Sequence, residues 1–372
     1  MADFWQGKAH FQEVRNIDWA KPPYNSPHEG EGWFASPMPF SGGTWYLFDR
    51  GWFTPQEKPA YCPEPGFRVI VRQSTDQGQS WSNPAVVAAA PGPQSAPDAC
   101  GTADGSTYYD SSANTWQMLT QCRAAHNAGG WMLCHYVRHG ASPMGPFSAD
   151  AIPSVRGGQL WSQICNHPNT SCDPHKTVDE GTPDIVFKKN GYFYVTFHGY
   201  DYATKHSVRG VAKTADFHNW ITSAPDLPNG PIFAAPECQA WNPGCLGGGE
   251  ASTLIAGDYQ YMVIETPNKS FTRIAGQNWP FALLRAPQNQ FPIWSSPLWQ
   301  RFPRNPLMPV RTARFAACRV AYMRWATTAD HVYMYYADYG CNKTGAAVVS
   351  VSANRLLELM PGRGPSVTLR AH

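Results

Sequence analysis

The chain has 372 residues, with 29 Lys plus Arg against 27 Asp plus Glu and a formal charge of +2, so it offers neither a basic stripe for phosphate backbones nor an acidic tail, and no nucleic-acid partner is expected. No run reaches the roughly 18 uninterrupted apolar residues of a membrane span, and the opening MADFWQGKAHF lacks the apolar core of an export leader, so no membrane association is expected. Its 34 prolines and 32 glycines cut the chain into pieces too short for long helices, which leaves strands as the expected element.

In chain order, apolar and polar residues alternate at Thr44–Phe48, Arg68–Arg72, Thr115–Leu119, Trp131–Val137, Tyr192–Phe197, Tyr259–Ile264, Val332–Tyr336 and Ala347–Val351. A pattern recurs with a period of roughly 70 residues: a polar lead-in, a short apolar strand, a Gly or Asn turn, then an aromatic strand. The aromatic strands begin near Thr44, Thr115, Tyr192, Tyr259 and Val332, which gives five units. The expected fold is all-β, a five-bladed β-propeller forming a single domain over residues 1–372. Residues 1–30 fit no further blade and are expected to wrap the base or to complete the outer strand of the last one, which would remove an exposed sheet edge.

Ten cysteines include two tight loops, Cys165 to Cys172 and Cys238 to Cys245, whose spans suit local disulfides, and the Cys-x-x-Cys spacing of a zinc site is absent. Three Asn-x-Ser/Thr sequons, at Asn169, Asn268 and Asn342, accompany them. Together these features point to a secreted, extracellular protein. Trp (15), Tyr (17) and Phe (18) are plentiful while 15% of residues are charged, a mix that suits packed sheets and sugar-stacking clefts.

Three segments resemble blade turns of known propellers. Ser74–Trp81 (STDQGQSW) matches the Asp-box turn of sialidase-like blades, in which the Asp caps a hairpin and the Trp packs beneath it. Lys213–Trp220 (KTADFHNW) and Ser142–Ser148 (SPMGPFS) resemble turns of five-bladed glycosidases acting on arabinan, xylan and fructan. Such turns imply scaffold, placed away from the channel. Gly30–Arg50 (GEGWFASPMPFSGGTWYLFDR) resembles the opening of the propellers called domain of unknown function 4185, which include endo-D-arabinanases of glycoside hydrolase family 183. That resemblance implies catalytic acids at Glu31 and Asp49, with Glu in place of the family's first Asp and no Gly ahead of Asp49.

Glycoside hydrolysis needs two carboxyl groups flanking the bond, one protonated and one ionised. In a propeller, acids just before the innermost strands of different blades can face one another across the axis. That rule selects Glu29 or Glu31, Asp98 or Asp104, Asp179, Glu180 or Asp184, and Glu250. Glu250, behind the glycine run Gly247–Gly249, resembles the Glu of arabinanase-like propellers, and Asp184 resembles their lead-in acid. The catalytic candidates are therefore Glu31, Asp49, Glu250 and Asp184. The plain alternatives are a salt-bridged channel for Glu250 and an ion pair with Arg50 for Asp49. His28, His175 and His198 are candidates for binding sugar hydroxyls or a metal.

The sequence thus reads as a glycoside hydrolase cleaving a furanose-containing polysaccharide such as arabinan or D-arabinan. The rival is a non-catalytic carbohydrate-binding propeller, and a glycosidase of another linkage class would share the fold. No cofactor is expected, with a structural Ca2+ in the channel left open. The expected partner is a polysaccharide or oligosaccharide, bound by a monomer.

Overall fold

In a computed structural model of the chain, the described residues are 1–6, 12–18, 22–24, 38–39, 43–62, 66–88, 93–125, 131–165, 177–201, 206–267, 281–295, 298–305, 319–327, 331–339 and 345–352. Among them the strands form five four-stranded antiparallel sheets. After β1 (Gln12–Asp18), the first sheet holds β2 (Met38–Pro39), β3 (Trp45–Trp52), β4 (Phe67–Ser74) and β5 (Ala85–Ala88). The second holds β6 (Gly101–Asp110), β7 (Thr115–Arg123), β8 (Met132–His139) and β9 (Ser148–Ala149). The third holds β10 (Thr177–Lys189), β11 (Tyr192–Asp201), β12 (His206–Thr214) and β13 (Trp220–Ile221). The fourth holds β14 (Ala251–Ala256), β15 (Tyr259–Glu265), β16 (Phe281–Pro287) and β17 (Gln300–Arg301).

Those four sheets are meanders of consecutive strands, whereas the last is composite. It orders β1 beside β20 (Gly345–Ser352), then β19 (His331–Tyr339) and β18 (Arg319–Thr327). The β1 pairing runs antiparallel from Gln12 opposite Ser350 to Asp18 opposite Gly345, so the start of the chain supplies the outer strand of the sheet formed by its end.

The sheets close into a ring. The first strands β6 and β10, β10 and β14, β14 and β18, and β18 and β2 are neighbours, and β4 reaches β6. This is an all-β propeller in one domain, with the first strands around the axis. Each second strand sends successive side chains to two neighbouring sheets, so both of its faces are buried. In β3, Tyr46 and Phe48 pack with Trp116 and Met118 of the second sheet, while Trp45 and Leu47 pack with Tyr335 of the last. In β15, Met262 and Ile264 join Tyr194 and Val211 of the third sheet, while Tyr261 and Val263 join Met323 and Met334 of the last. Leu119 and Leu133 meet Ile185 and Val195 between the second and third sheets. Each large apolar side chain so buried contributes about 1.5–3 kcal/mol.

Among the described residues three disulfides pin this ring: Cys62–Cys100, Cys122–Cys134 and Cys238–Cys245. The second links β7 to its neighbour β8, and the third is one of the two loops read from the spacing. The other loop and the three sequons involve Cys172, Asn169, Asn268 and Asn342, which lie outside the described residues. No described helix is long and apolar enough to cross a membrane.

The three signature turns occupy one structural position, the link between third and fourth strands. In the first sheet, Ser80 N–H donates to Asp76 Oδ1 at 2.8 Å and Gly78 N–H donates to Ser74 Oγ at 2.7 Å, while Trp81 is buried beneath. In the third, Asn219 N–H and His218 N–H donate to Asp216 Oδ1 at 2.7 and 2.9 Å. In the second, Arg138 holds the turn through the carbonyls of Ser142 (2.8 Å) and Pro146 (2.9 Å). Because strands in a meander reverse direction at every turn, these turns lie at the rim opposite the starts of the first strands.

Candidate functional site

The starts of the first strands are where the ladder is interrupted. Strand pairing shifts between Ala103 and Gly105 in β6, between Gly181 and Asp184 in β10, and between Ala321 and Arg324 in β18. Such bulges re-aim side chains. Asp104 and Thr182, at the first two, adopt positive φ of 43° and 38°, an arrangement that persists only where surrounding packing enforces it. Two glycines permit the close approach. A Cβ on Gly105 would lie 2.1 Å from the Leu119 carbonyl oxygen. Gly247, at φ +124°, passes so close to Ser207 that a Cβ would meet its carbonyl oxygen at 1.8 Å, and this run delivers Glu250 to the start of β14.

Arg324 of β18 is the hub. Its Nη1 donates to the Ala251 carbonyl (2.6 Å) and its Nη2 to the Gly105 carbonyl (2.8 Å), joining the last sheet to the fourth and second. The same guanidinium pairs with Asp184 Oδ1 at 3.5 Å and, in closer contact, with Glu250 Oε1. Asp184 also accepts the Thr253 N–H at 2.9 Å. A parallel pair lies alongside: Arg50 Nη2 donates to Asp104 Oδ2 at 3.1 Å, and the same carboxylate accepts Gln121 Nε2. Gln121 Oε1 in turn accepts the Thr182 N–H at 3.3 Å. Arg209 backs the cluster through Thr182 Oγ1 (3.1 Å) and the Gly249 carbonyl (3.2 Å).

All these groups are buried, and burial governs their protonation. It pushes Asp104 up to about 7 against the pull of Arg50, with nearby Glu265 adding to the rise. It raises Asp184 despite Arg324 and Arg209. Glu250 is driven well above the usual carboxylate range by burial, opposed by Arg324 and reinforced by the charges of Glu265 and Asp104. His198 is pushed down to about 3, first by burial and then by Arg209, so its imidazole is neutral. Acids held protonated near neutral pH beside ionised partners can donate protons, which is the property a general acid needs.

Of the residues selected from sequence, Glu250 and Asp184 are brought together, through Arg324. Asp104 joins them as a third acid. Asp49 is fully buried in β3, and the alternative reading of it, an ion pair with Arg50, is not the contact that the Arg50 guanidinium makes. Consecutive strand residues point to opposite faces, so the Arg50 guanidinium reaches Asp104 in the second sheet, while Asp49 Oδ1 accepts the Arg50 backbone N–H at 2.7 Å. Glu31, Glu29, His28 and His175 lie outside the described residues, as does the side chain of Asp179. Asp98 accepts the Tyr136 hydroxyl (2.8 Å) and Glu180 accepts the Trp161 N–H (2.7 Å). Arg324, Arg209, Gln121 and Glu265 were not legible from sequence. Among the described residues, no group of three or more His, Cys, Asp or Glu side chains is disposed to hold a metal ion; between Asp184 and Glu250 the cation is Arg324.

By sequence, the chain matches no family model and no curated protein. By structure it is similar to a thermostable family-43 glycoside hydrolase (TM-score 0.55, 12% identity, 92% of this chain and 97% of that one). It is also similar to a structure from the glycoside hydrolase family 130 of mannoside phosphorylases, described as containing hydrolases that target β-1,2 mannosidic linkages in Candida mannan (TM-score 0.60, 10% identity, 95% and 96% covered). A third likeness is the catalytic domain of the Coprinopsis cinerea family-62 α-L-arabinofuranosidase (TM-score 0.52, 11% identity, 93% and 98% covered). At such identities the likeness shows the propeller fold, which hosts more than one chemistry.

Proposed function

We propose that the protein is a secreted glycoside hydrolase whose five sheets serve as the blades of a propeller with one site at its axis, acting on a furanose-containing polysaccharide such as arabinan or D-arabinan. The observation that carries this reading is the convergence of Asp184 and Glu250, from adjacent sheets, on the single guanidinium of Arg324. Glu250, the acid raised most strongly in the cluster by burial and like charges, is the proton donor to the leaving oxygen. Asp184 has more groups favouring its charge, in Arg324, Arg209 and the Thr253 N–H, and acts as the ionised partner. Asp49 and Glu31 complete the acid set, as the resemblance to the family-183 endo-D-arabinanases implies. The names of the structural neighbours, an arabinofuranosidase among them, favour sugar chemistry. The disulfides are consistent with an extracellular protein.

A second reading, a carbohydrate-binding propeller without catalysis, is favoured by the depth of the acids: Glu250 is 3% and Asp184 6% exposed, and both face a guanidinium. One experiment separates the two. Sugar release from arabinan, arabinogalactan, xylan and levan is measured for the wild type and for Glu250→Gln and Asp184→Asn, with melting curves for each. Hydrolysis predicts release from one polymer and a loss of about 10²–10⁴-fold in each folded variant. Binding without release from any polymer supports the second reading.

A further inference from the structure

The Cys238–Cys245 disulfide closes a short loop that leads into Gly247–Gly249 and Glu250. Its interior is stiff: Trp241 N–H and Asn242 N–H donate to the Cys238 carbonyl at 3.2 and 2.9 Å, and Cys245 N–H donates to the Asn242 carbonyl at 2.9 Å. The loop is also docked. Asn242 Nδ2 donates to the Thr266 carbonyl at 2.6 Å, one residue beyond Glu265 of the acid cluster, and Leu246 N–H donates to the Pro267 carbonyl at 2.8 Å. On this rigid tip sits Trp241, half-buried, with an indole N–H that meets no acceptor among the described residues. Arg301 of β17, whose side chain is 51% exposed, lies 5.8 Å from the ring centre. Its orientation is set by a two-pronged bond to buried Glu237, Nε to Oε1 at 2.7 Å and Nη2 to Oε2 at 3.1 Å. The loop therefore runs from the outer strand of the fourth sheet inward to the carboxylates.

We infer that Trp241 and Arg301 form a distal subsite for a polysaccharide chain, with a sugar ring stacked on the indole and its hydroxyls accepting from the guanidinium; this rests on the glycan-directed reading above. The chemistry fits on three counts. A sugar ring presents an apolar C–H face to an aromatic plane and hydroxyls at its edge. A partly buried Trp, with the partly exposed, carboxylate-oriented Arg301 over its ring, supplies both contacts. The disulfide and the internal bonds hold the ring in place before binding, which lowers the entropic cost of capturing a chain. The subsite lies away from the carboxylates, so it contributes to long chains and not to short ones.

The test is binding by affinity electrophoresis in gels of arabinan, arabinogalactan, xylan and levan, together with hydrolysis of a short oligosaccharide of the polymer that the wild type retains. Trp241→Ala is expected to weaken retention about tenfold, corresponding to one aromatic contact, with Arg301→Ala acting in the same direction. Trp241→Phe, which keeps a ring, is expected to retain most of the affinity, and short-substrate turnover is expected to stay within about twofold in all three. Equal retention of wild type and a folded Trp241→Ala overturns the subsite while leaving the glycan reading intact. Loss of fold in Trp241→Ala with retention unchanged in folded Arg301→Ala overturns it too, because the ring is then packing. A wild type that no polymer retains overturns both readings.

Discussion

Asp76 and Asp216, at one rim of the propeller, and Asp104, Asp184 and Glu250, at the starts of the first strands, bear the same functional group in sheets of one design, yet their protonation is driven in opposite directions. In the Ser74–Trp81 turn, burial would raise Asp76, but hydrogen bonds from the Ser80 side chain and backbone and from Ser74 outweigh it and hold the acid down at about 2. Asp216 is held below the ordinary range mainly by the Asn219 N–H. At the axis the balance reverses: burial prevails, and Arg50, Arg209 and Arg324 offset it only in part. Carboxyl chemistry in this fold is therefore set by which end of a blade the acid occupies.

The comparison can be broken most forcefully at Arg324. Arg324→Ala leaves Asp184 and Glu250 buried without their shared cation, and a loss of about 3–5 kcal/mol in denaturant unfolding is expected. A loss below about 1 kcal/mol would mean that the cluster is open to water and the rims are alike. Next in size is the pH dependence due to Asp104. Its unfolded value is 3.8 and its folded value about 7, so between these limits the unfolded chain ionises while the folded one keeps its proton. Its contribution to stability is full below about pH 4 and falls as pH rises toward 7, by about 4 kcal/mol at most. Asp104→Asn should flatten that part of the stability profile; an unchanged slope would assign the shift elsewhere.

Smaller effects are expected at the opposite rim. Asp76→Ala and Asp216→Ala each remove a turn cap and should lower stability by about 1 kcal/mol, read from the unfolding midpoint. Combined with Arg324→Ala, the losses should add, since the sites share no partner. The smallest signal is in acid. Asp76 has a folded value of about 2 against 3.8 unfolded, so its contribution is present above about pH 4 and is lost as pH falls toward 2, the reverse of Asp104. An Asp76→Asn variant with the same acid limb as the wild type would contradict the hydrogen-bond account.

Much of the scaffold was legible because it rests on local rules. The aromatic strands starting near Thr44, Thr115, Tyr192, Tyr259 and Val332 are the second strands of their sheets. The turn signatures at Ser74, Ser142 and Lys213 occupy equivalent links, since the groups that hold each turn, a capping Asp at Ser74 and Lys213 and Arg138 at Ser142, act within a few residues of one another. Position before a first strand also selected Asp104, Asp184 and Glu250. The arginines were not legible. Arg324 sits in RVAYMRWAT, where nothing nearby marks it, and the carbonyl it binds belongs to Gly105, 219 residues away. Arg50 pairs with Asp104 and not with its neighbour Asp49 for a related reason: adjacency in sequence puts two strand residues on opposite faces.

By itself, the sequence determined the all-β class, the repeated unit, the turn chemistry and one disulfide loop, Cys238–Cys245, because each depends on residues within hydrogen-bonding or packing reach along the chain. Only the tertiary structure decided which acids meet, which arginine lies between them and how far burial shifts their protons. Those properties arise where segments from different sheets exclude water around a common axis, and exclusion of water belongs to the closed ring as a whole.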